Sequence, residues 1–192
     1  MYYSQANQDE FVFNILNKKT DGLFVDIGSN DPIVGNNSYF LEKSGWTGIC
    51  IDQGIHNYSD RSCRFYNKNV LRLDYDSIFN ENNFPSVIDY LSIDVDEYSA
   101  ACLVKIPLEK YKFKVITIEH DSYRFGAGLC NVQRDILSYY GYTLVCKNIT
   151  CLPLLENQYF EDWWVYSDYI NFDLSKISSE GQYSTEIIKK LN

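Results

Sequence analysis

The stretch Leu23-Phe24-Val25-Asp26-Ile27-Gly28-Ser29-Asn30-Asp31 decides the fold. Its first five residues form a short apolar run rich in branched and aromatic side chains, and Gly28 closes the run with a turn. A strand that is apolar along its whole length is one covered on both faces, as in parallel sheets. Working outward, the same pattern recurs at Gly48-Ile49-Cys50-Ile51-Asp52, Val87 to Val95, Lys114 to Glu119, Thr143 to Cys146 and Trp163 to Tyr166. Between these runs lie segments of helical spacing: Ser38 to Lys43 stopped by Gly45, Ser99 to Val104, and Val132 to Tyr140 stopped by Gly141. Ahead of the first strand, Gln8 to Leu16 sets Phe11, Val12, Ile15 and Leu16 on one face. Strands alternating with helices predict an α/β fold, with a mostly parallel sheet and helices on both faces.

A chain of 192 residues suits one domain, so residues 1–192 are expected to fold as a single unit. Residues 1–20 should place a helix over the site, and residues 174–192 should form a polar tail ending in a loosely packed helix from Ser184 to Leu191. The apolar share of 45% is that of a globular protein and argues against disorder. Seventeen basic residues face twenty-six acidic ones, for a net charge of -9, and no basic run exceeds the pairs Lys18-Lys19 and Lys189-Lys190. Nucleic acid and anionic membranes are therefore poor partners, because both demand a basic surface. The start, Met1-Tyr2-Tyr3-Ser4-Gln5, lacks the basic and apolar regions of a leader, and no apolar stretch has the length of a membrane span. The six cysteines are scattered without a CxxC pair and only two histidines accompany them, which argues against a structural zinc site and for a reducing cytoplasm.

Several strand-like runs end in an acid or carry one near the end: Asp26, Asp52, Asp94 and Glu119. Open parallel sheets bind ligands at that edge, near the reversal of strand order. One such acid reads as a helix cap or a lysine partner; four at successive strand ends point to a site. The turn Asp26-Ile27-Gly28-Ser29-Asn30-Asp31 lacks the second and third glycines that bring a backbone against a pyrophosphate. A ligand without phosphates fits better, and S-adenosylmethionine, with a sulfonium and an amino group, is one. Asp52, ending the second strand, stands where an acid can accept both ribose hydroxyls.

Phe24 to Asp31, then Asn37 to Asp52, then Ile88 to Asp96, then Ile116 to Asp121 together resemble the FkbM family of methyltransferases. The opening Ser4-Gln5-Ala6-Asn7-Gln8-Asp9 and the closing Phe160-Glu161-Asp162-Trp163-Trp164-Val165 are similar to that family's ends. The resemblance implies a class I methyltransferase fold, Rossmann-like, with a seven-stranded sheet whose last strand is antiparallel. It implies methyl transfer from S-adenosylmethionine to an oxygen, in many members a sugar hydroxyl. By position, Asp26, Gly28 and Asn30, with Ser29 and Asp31 of the same turn, would bind the methionine part of the cofactor. Asp52 would hold its ribose, and Asp94 would lie beside the methyl group. The chain departs from the family pattern at Pro32, at Asp52-Gln53-Gly54 and at Asp96-Glu97-Tyr98, so a relative that binds without catalysing stands as the alternative. A dinucleotide oxidoreductase is disfavoured by the missing glycines.

Transfer to a hydroxyl needs in-line positioning and an acceptor for the proton. His120 is the base candidate by its pKa range, with a hydrogen-bonded structural histidine as the other reading. Asp96, two residues past Asp94, is the rival base. Asp94, Glu119 and Asp121 could gather Mg²⁺ or another divalent cation, although acids that cap helices also lie close together. Gln5 and Gln8 could grip the hydroxyls of a small-molecule or glycan acceptor, with Glu119 and Asp121 beside them. Glu161-Asp162-Trp163-Trp164 offers acids and aromatic faces suited to sugars, or simply two core tryptophans.

Overall fold

A computed structural model describes residues 1–151 and 158–191. It holds helices α1 (Gln8–Ile15), α2 (Tyr39–Lys43), α3 (Tyr75–Glu81), α4 (Ser99–Lys105), α5 (Ser122–Phe125), α6 (Ala127–Tyr139) and α7 (Ser184–Leu191). The strands are β1 (Leu23–Ile27), β2 (Thr47–Asp52), β3 (Arg64–Asn67), β4 (Val87–Ile93), β5 (Lys112–Glu119), β6 (Thr143–Ile149), β7 (Glu161–Val165) and β8 (Ser179–Glu180). They form one mixed sheet in the order β3-β2-β1-β4-β5-β7-β6-β8. Among the described strands, only β7 runs antiparallel to its neighbours, β5 and β6.

The expected seven-stranded sheet is corrected to eight. The added strand is the two-residue β8, which extends the β6 edge through the pairs Cys146↔Ser179 and Lys147↔Glu180. Two residues carry no periodicity, so no sequence pattern marks it. Three further elements escaped the sequence pattern, β3, α3 and the one-turn α5. Strand β3 is an edge strand with half-exposed or exposed side chains and so lacks the apolar run of its neighbours. Helix α3 spans only two turns, although its start carries a capping signal: Asp74 accepts the Ser77 N–H at 3.1 Å.

Alternation along the strands sorts side chains to two cores. On one face, Val25, Ile27, Ile49, Ile51, Leu91 and Ile116 pack with Phe79 of α3, Leu103 of α4 and Leu137 of α6. On the other, Phe24, Cys50, Tyr90, Val115 and Trp163 pack with Phe11 and Val12 of α1, Leu41 of α2 and Ile187 of α7. Phe11 stacks on Trp163 with ring centroids 4.3 Å apart, and both are fully buried. Both tryptophans of the closing motif are thus core residues. Helix α7 occupies the expected range but is not loose: Ile187 and Ile188 are buried, and Ser184 Oγ donates to Asn7 Oδ1 at 2.9 Å. Among the described residues, no helix is long and apolar enough to cross a membrane.

Strand β1 is flanked in parallel by β2 on one side and β4 on the other, so the chain reverses its direction of winding there. Beyond the carboxyl ends of β1, β2 and β4 a crevice must open, because the connections leave toward opposite faces.

Candidate functional site

That crevice is a cleft of about 660 Å³, within the usual span of small-molecule sites. Gly28, Asp52 and Asp94, at the ends of the three strands, line it, and so do Asp26, Asp96 and Glu97. No lysine, arginine or histidine is among its described lining residues.

The first turn is built for close approach. Gly28 has φ 82°, and its N–H donates to the Ile51 carbonyl at 2.8 Å, while the Asp94 N–H donates to the Ile27 carbonyl at 2.9 Å. These bonds draw the strand ends together so tightly that a β-carbon at Gly28 would run into the Asp94 carbonyl. Asn30 follows, also left-handed at φ 45°, and its N–H donates to Asp52 Oδ2 at 3.0 Å. Asp52 Oδ1 accepts the Gly54 N–H at 2.6 Å, so the turn after β1 and the turn after β2 meet on one carboxylate.

Pro32 fits this turn. Asp31 Oδ1 accepts the N–H groups of Ile33 and Val34, each at 2.8 Å, and these hold its carboxyl below the usual range. The N–H that proline lacks has no role in that arrangement, and the Pro32 carbonyl accepts from Arg61 Nη1 at 2.5 Å. Asp31 is exposed and shapes the loop without lining the cleft.

Asp26 is almost fully buried, 1% exposed, on the β1 face shared with Cys50 and Ser92, its register partners. Ser38 Oγ, before α2, donates to Asp26 Oδ2 at 2.7 Å. Burial pushes the Asp26 carboxyl up to about 6, against the pull of the Ser38 hydrogen bond and the Arg61 charge. Arg61 itself is a residue that sequence patterns miss. It is buried between the rings of Tyr39 and Tyr58, at 5.1 and 5.5 Å. Its guanidinium reaches Glu42 at 3.1 Å, the Pro32 carbonyl, Asn36 Oδ1 at 3.2 Å and Ser38 Oγ at 3.1 Å. Asn36 in turn donates to the Ser29 carbonyl at 2.8 Å, and Tyr58 donates to Ser29 Oγ at 2.8 Å. Ser29 is therefore a buried anchor of the loop as well as part of the cleft wall. Asn37 lines the cleft and donates to Ser92 Oγ at 2.9 Å. The Asn-Asn-Ser run at Asn36 to Ser38 is the signal that could have exposed this network, since such residues favour local side-chain-to-backbone bonds.

At the other end of the cleft, burial raises the carboxyls of both Asp94 and Glu119; the charge of Asp94 raises Glu119 further, while the hydrogen bond between them raises Glu119 and lowers Asp94. Glu119 Oε2 also accepts the Asp96 N–H at 2.8 Å. Asp96 is exposed and left-handed at φ 50°, and Asp121 is buried and left-handed at φ 43°. Burial raises the Asp121 carboxyl despite its pairing with Arg124. The trio whose oxygens converge is Asp96, Glu119 and Asp121, within 4.8 Å of one another, rather than a set containing Asp94.

His120 lies away from the cleft lining. It is 1% exposed, accepts the Ser122 N–H on Nδ1 at 3.1 Å, and directs Nε2 toward Asp162 Oδ1 at 3.4 Å. Its proton therefore belongs on Nε2, facing the interior. Gln8 is also interior: Oε1 accepts the Ala6 N–H at 2.8 Å and Nε2 donates to Glu161 Oε2 at 3.1 Å. Burial pushes Glu161 up to about 8 even so. Gln5 alone of the two glutamines lines the cleft.

Residues 26–144 match the family model described as the methyltransferase FkbM domain. No curated protein matches the chain. The matched stretch covers more than half of the sequence and runs from Asp26 past Asp52 and Asp94, which line the crevice, and past Glu119 at the end of β5. The chain belongs to the FkbM family of methyltransferases.

Proposed function

We propose that this protein is an S-adenosylmethionine-dependent O-methyltransferase acting on a hydroxyl of a sugar or glycan. The observation that carries the proposal is the lining of the cleft: Asp26, Asp52, Asp94, Asp96 and Glu97 with no cationic side chain among the described residues. A pyrophosphate would find no partner there, whereas a sulfonium and an ammonium would find only favourable charge. The close approach of Gly28 to Asp94 admits no side chain at position 28, so the turn offers bare backbone to the cleft it lines. The residues present thus fit S-adenosylmethionine, with Gly28, Ser29 and Asn30 along its amino-acid part and Asp52 on the ribose diol. Val70 and Leu71, after β3, give the same cleft an apolar wall suited to a base.

When bound, the cofactor supplies an electrophilic methyl group on sulfur. Asp94, at the β4 end, lies where it can orient the reacting groups, and its shared proton with Glu119 limits charge repulsion in that corner. Asp96, exposed at the cleft edge, receives the proton of the acceptor hydroxyl, a contribution of roughly 10²–10⁴-fold for a positioned base. His120 is given no proton-transfer role, because both ring nitrogens face protein groups. The acid-rich rim favours a neutral polyhydroxyl acceptor over a phosphorylated or carboxylated one. Gln5 at the same wall offers both a donor and an acceptor to it.

Calorimetric titration with S-adenosylhomocysteine, with NAD as control, tests the cofactor assignment. Saturable binding of the first alone is expected; binding of NAD, or of neither, overturns it. Turnover on a panel of free and glycosidic sugars then tests the acceptor class.

A further inference from the structure

The acidic corner beyond β4 and β5 contains a cation of the protein's own. Arg124, on the one-turn helix α5, places a single nitrogen, Nη1, 2.6 Å from Asp96 Oδ1 and 2.8 Å from Asp121 Oδ2. The third acid of the trio, Glu119, accepts the Asp96 backbone N–H at 2.8 Å. Arg124 is not held by packing: its side chain is 46% exposed, and its own ring contact is Phe125 at 4.8 Å. Its guanidinium is held chiefly by the two carboxylates it bridges.

We propose that Arg124 is the built-in cation of this corner, occupying the point between Asp96 and Asp121 where a divalent ion would otherwise sit. Hard divalent cations are bound by converging carboxylate oxygens, and Asp96, Glu119 and Asp121 converge in that manner. A guanidinium nitrogen already bridging two of them competes directly for the same oxygens. The wild-type corner therefore excludes Mg²⁺ and Mn²⁺, and the methyl transfer proposed above proceeds without a metal. Arg124 also acts as a positioning residue for Asp96, since it engages only Oδ1 of that carboxylate. This last consequence rests on the base assignment of Asp96, whereas the exclusion of metal does not.

Mn²⁺ titration of the full-length protein, followed by electron paramagnetic resonance of the free ion, tests the assignment without any acceptor. Wild type should leave the free-ion signal unchanged over the range in which Arg124→Ala removes one equivalent. Loss of a unit charge beside the site predicts a gain in Mn²⁺ affinity of about tenfold or more, after discounting for the exposure of Arg124. Arg124→Gln, which keeps the length of the side chain, should gain the site too and serves if the alanine variant misfolds. Arg124→Lys should still exclude the ion. Adding Asp96→Asn to Arg124→Ala should abolish the gained site, and methylguanidinium should displace the ion from the single variant. Equal Mn²⁺ binding by wild type and Arg124→Ala overturns the proposal. So does the absence of binding by a variant with native circular dichroism. The S-adenosylhomocysteine titration of wild type is independent of these results, so failure of the cofactor assignment and failure of this one are distinguishable.

Discussion

Replacing Asp26 by asparagine should make the protein more stable at neutral pH and a poorer binder of its cofactor. The buried carboxyl rises from 3.8 to about 6, mainly because burial penalises its charged form. At ~1.4 kcal/mol per pKa unit, ionising it in the folded state costs about 3 kcal/mol above that range. The folded state binds the proton more tightly than the unfolded chain, so stability falls as pH rises from about 4 to about 6 and stays low beyond. Below 3.8 both states are protonated and the penalty is absent. Asparagine is neutral throughout. It can still accept from Ser38, although imperfect pairing with the surrounding hydroxyls should return about 1 kcal/mol. The net expectation is a gain of about 2 kcal/mol at pH 7.5 that shrinks to nothing near pH ~4.5 and becomes a loss of about 1 kcal/mol once both states are protonated. Urea unfolding of wild type and Asp26→Asn, followed by tryptophan fluorescence at intervals from pH 4 to 8, measures it. The affinity for S-adenosylhomocysteine should meanwhile fall by roughly ten- to a hundredfold, the equivalent of one lost charged hydrogen bond. A less stable variant at pH 7.5, or a stability gap that does not shrink toward pH 4, would refute the reasoning.

Three further outcomes are expected. Gly28→Ala should keep its secondary structure yet lose cofactor binding, because the positive φ costs about 1–2 kcal/mol and the new methyl pushes the Asp94 carbonyl away. Calorimetry beside circular dichroism checks it, and unchanged affinity would remove Gly28 from the site. Arg61→Met should destabilise by roughly 3–5 kcal/mol, since it leaves Glu42 without its buried cation and frees the Pro32 loop. Arg61→Lys should recover only part of that loss in thermal melts, because one ammonium cannot fork between these partners. Asp94→Asn should bind S-adenosylhomocysteine within a few-fold of wild type and lose most turnover, and normal turnover would sink the role given to Asp94.

Much of the site was legible because strand patterns are local. The runs ending at Asp26, Asp52, Asp94 and Glu119 mark the carboxyl edge of a sheet, and the structure brings the ends of β1, β2 and β4 to one cleft. The direction of individual polar side chains was not legible. Gln8 and His120 stand in conspicuous motifs, yet both turn inward. The partner of Gln8 is Glu161, 153 residues away, and that of His120 is Asp162 across the β5–β7 pair. No local pattern encodes such a partner. The acidic trio changed membership for a similar reason: Asp96 adopts a left-handed backbone and swings toward Asp121, whereas an extended strand would have kept it on the side of Asp94. The C-terminal helix packs more tightly than its polar sequence suggests, since the burial of Ile187 and Ile188 depends on α1 lying beside them.

The sequence by itself determined the α/β class, the strands that carry the site and the turn at Gly28, because hydrophobic periodicity and glycine geometry act over a few residues. Tertiary structure alone decided the eighth strand, the burial of Arg61 beneath the Pro32 loop and the bridging of Asp96 and Asp121 by Arg124. In each case a decisive term is a hydrogen bond or charge between segments distant in the chain, for Arg124 the one to Asp96, since Asp121 stands only three residues away. Such contacts acquire an energy only once the sheet has set those segments side by side.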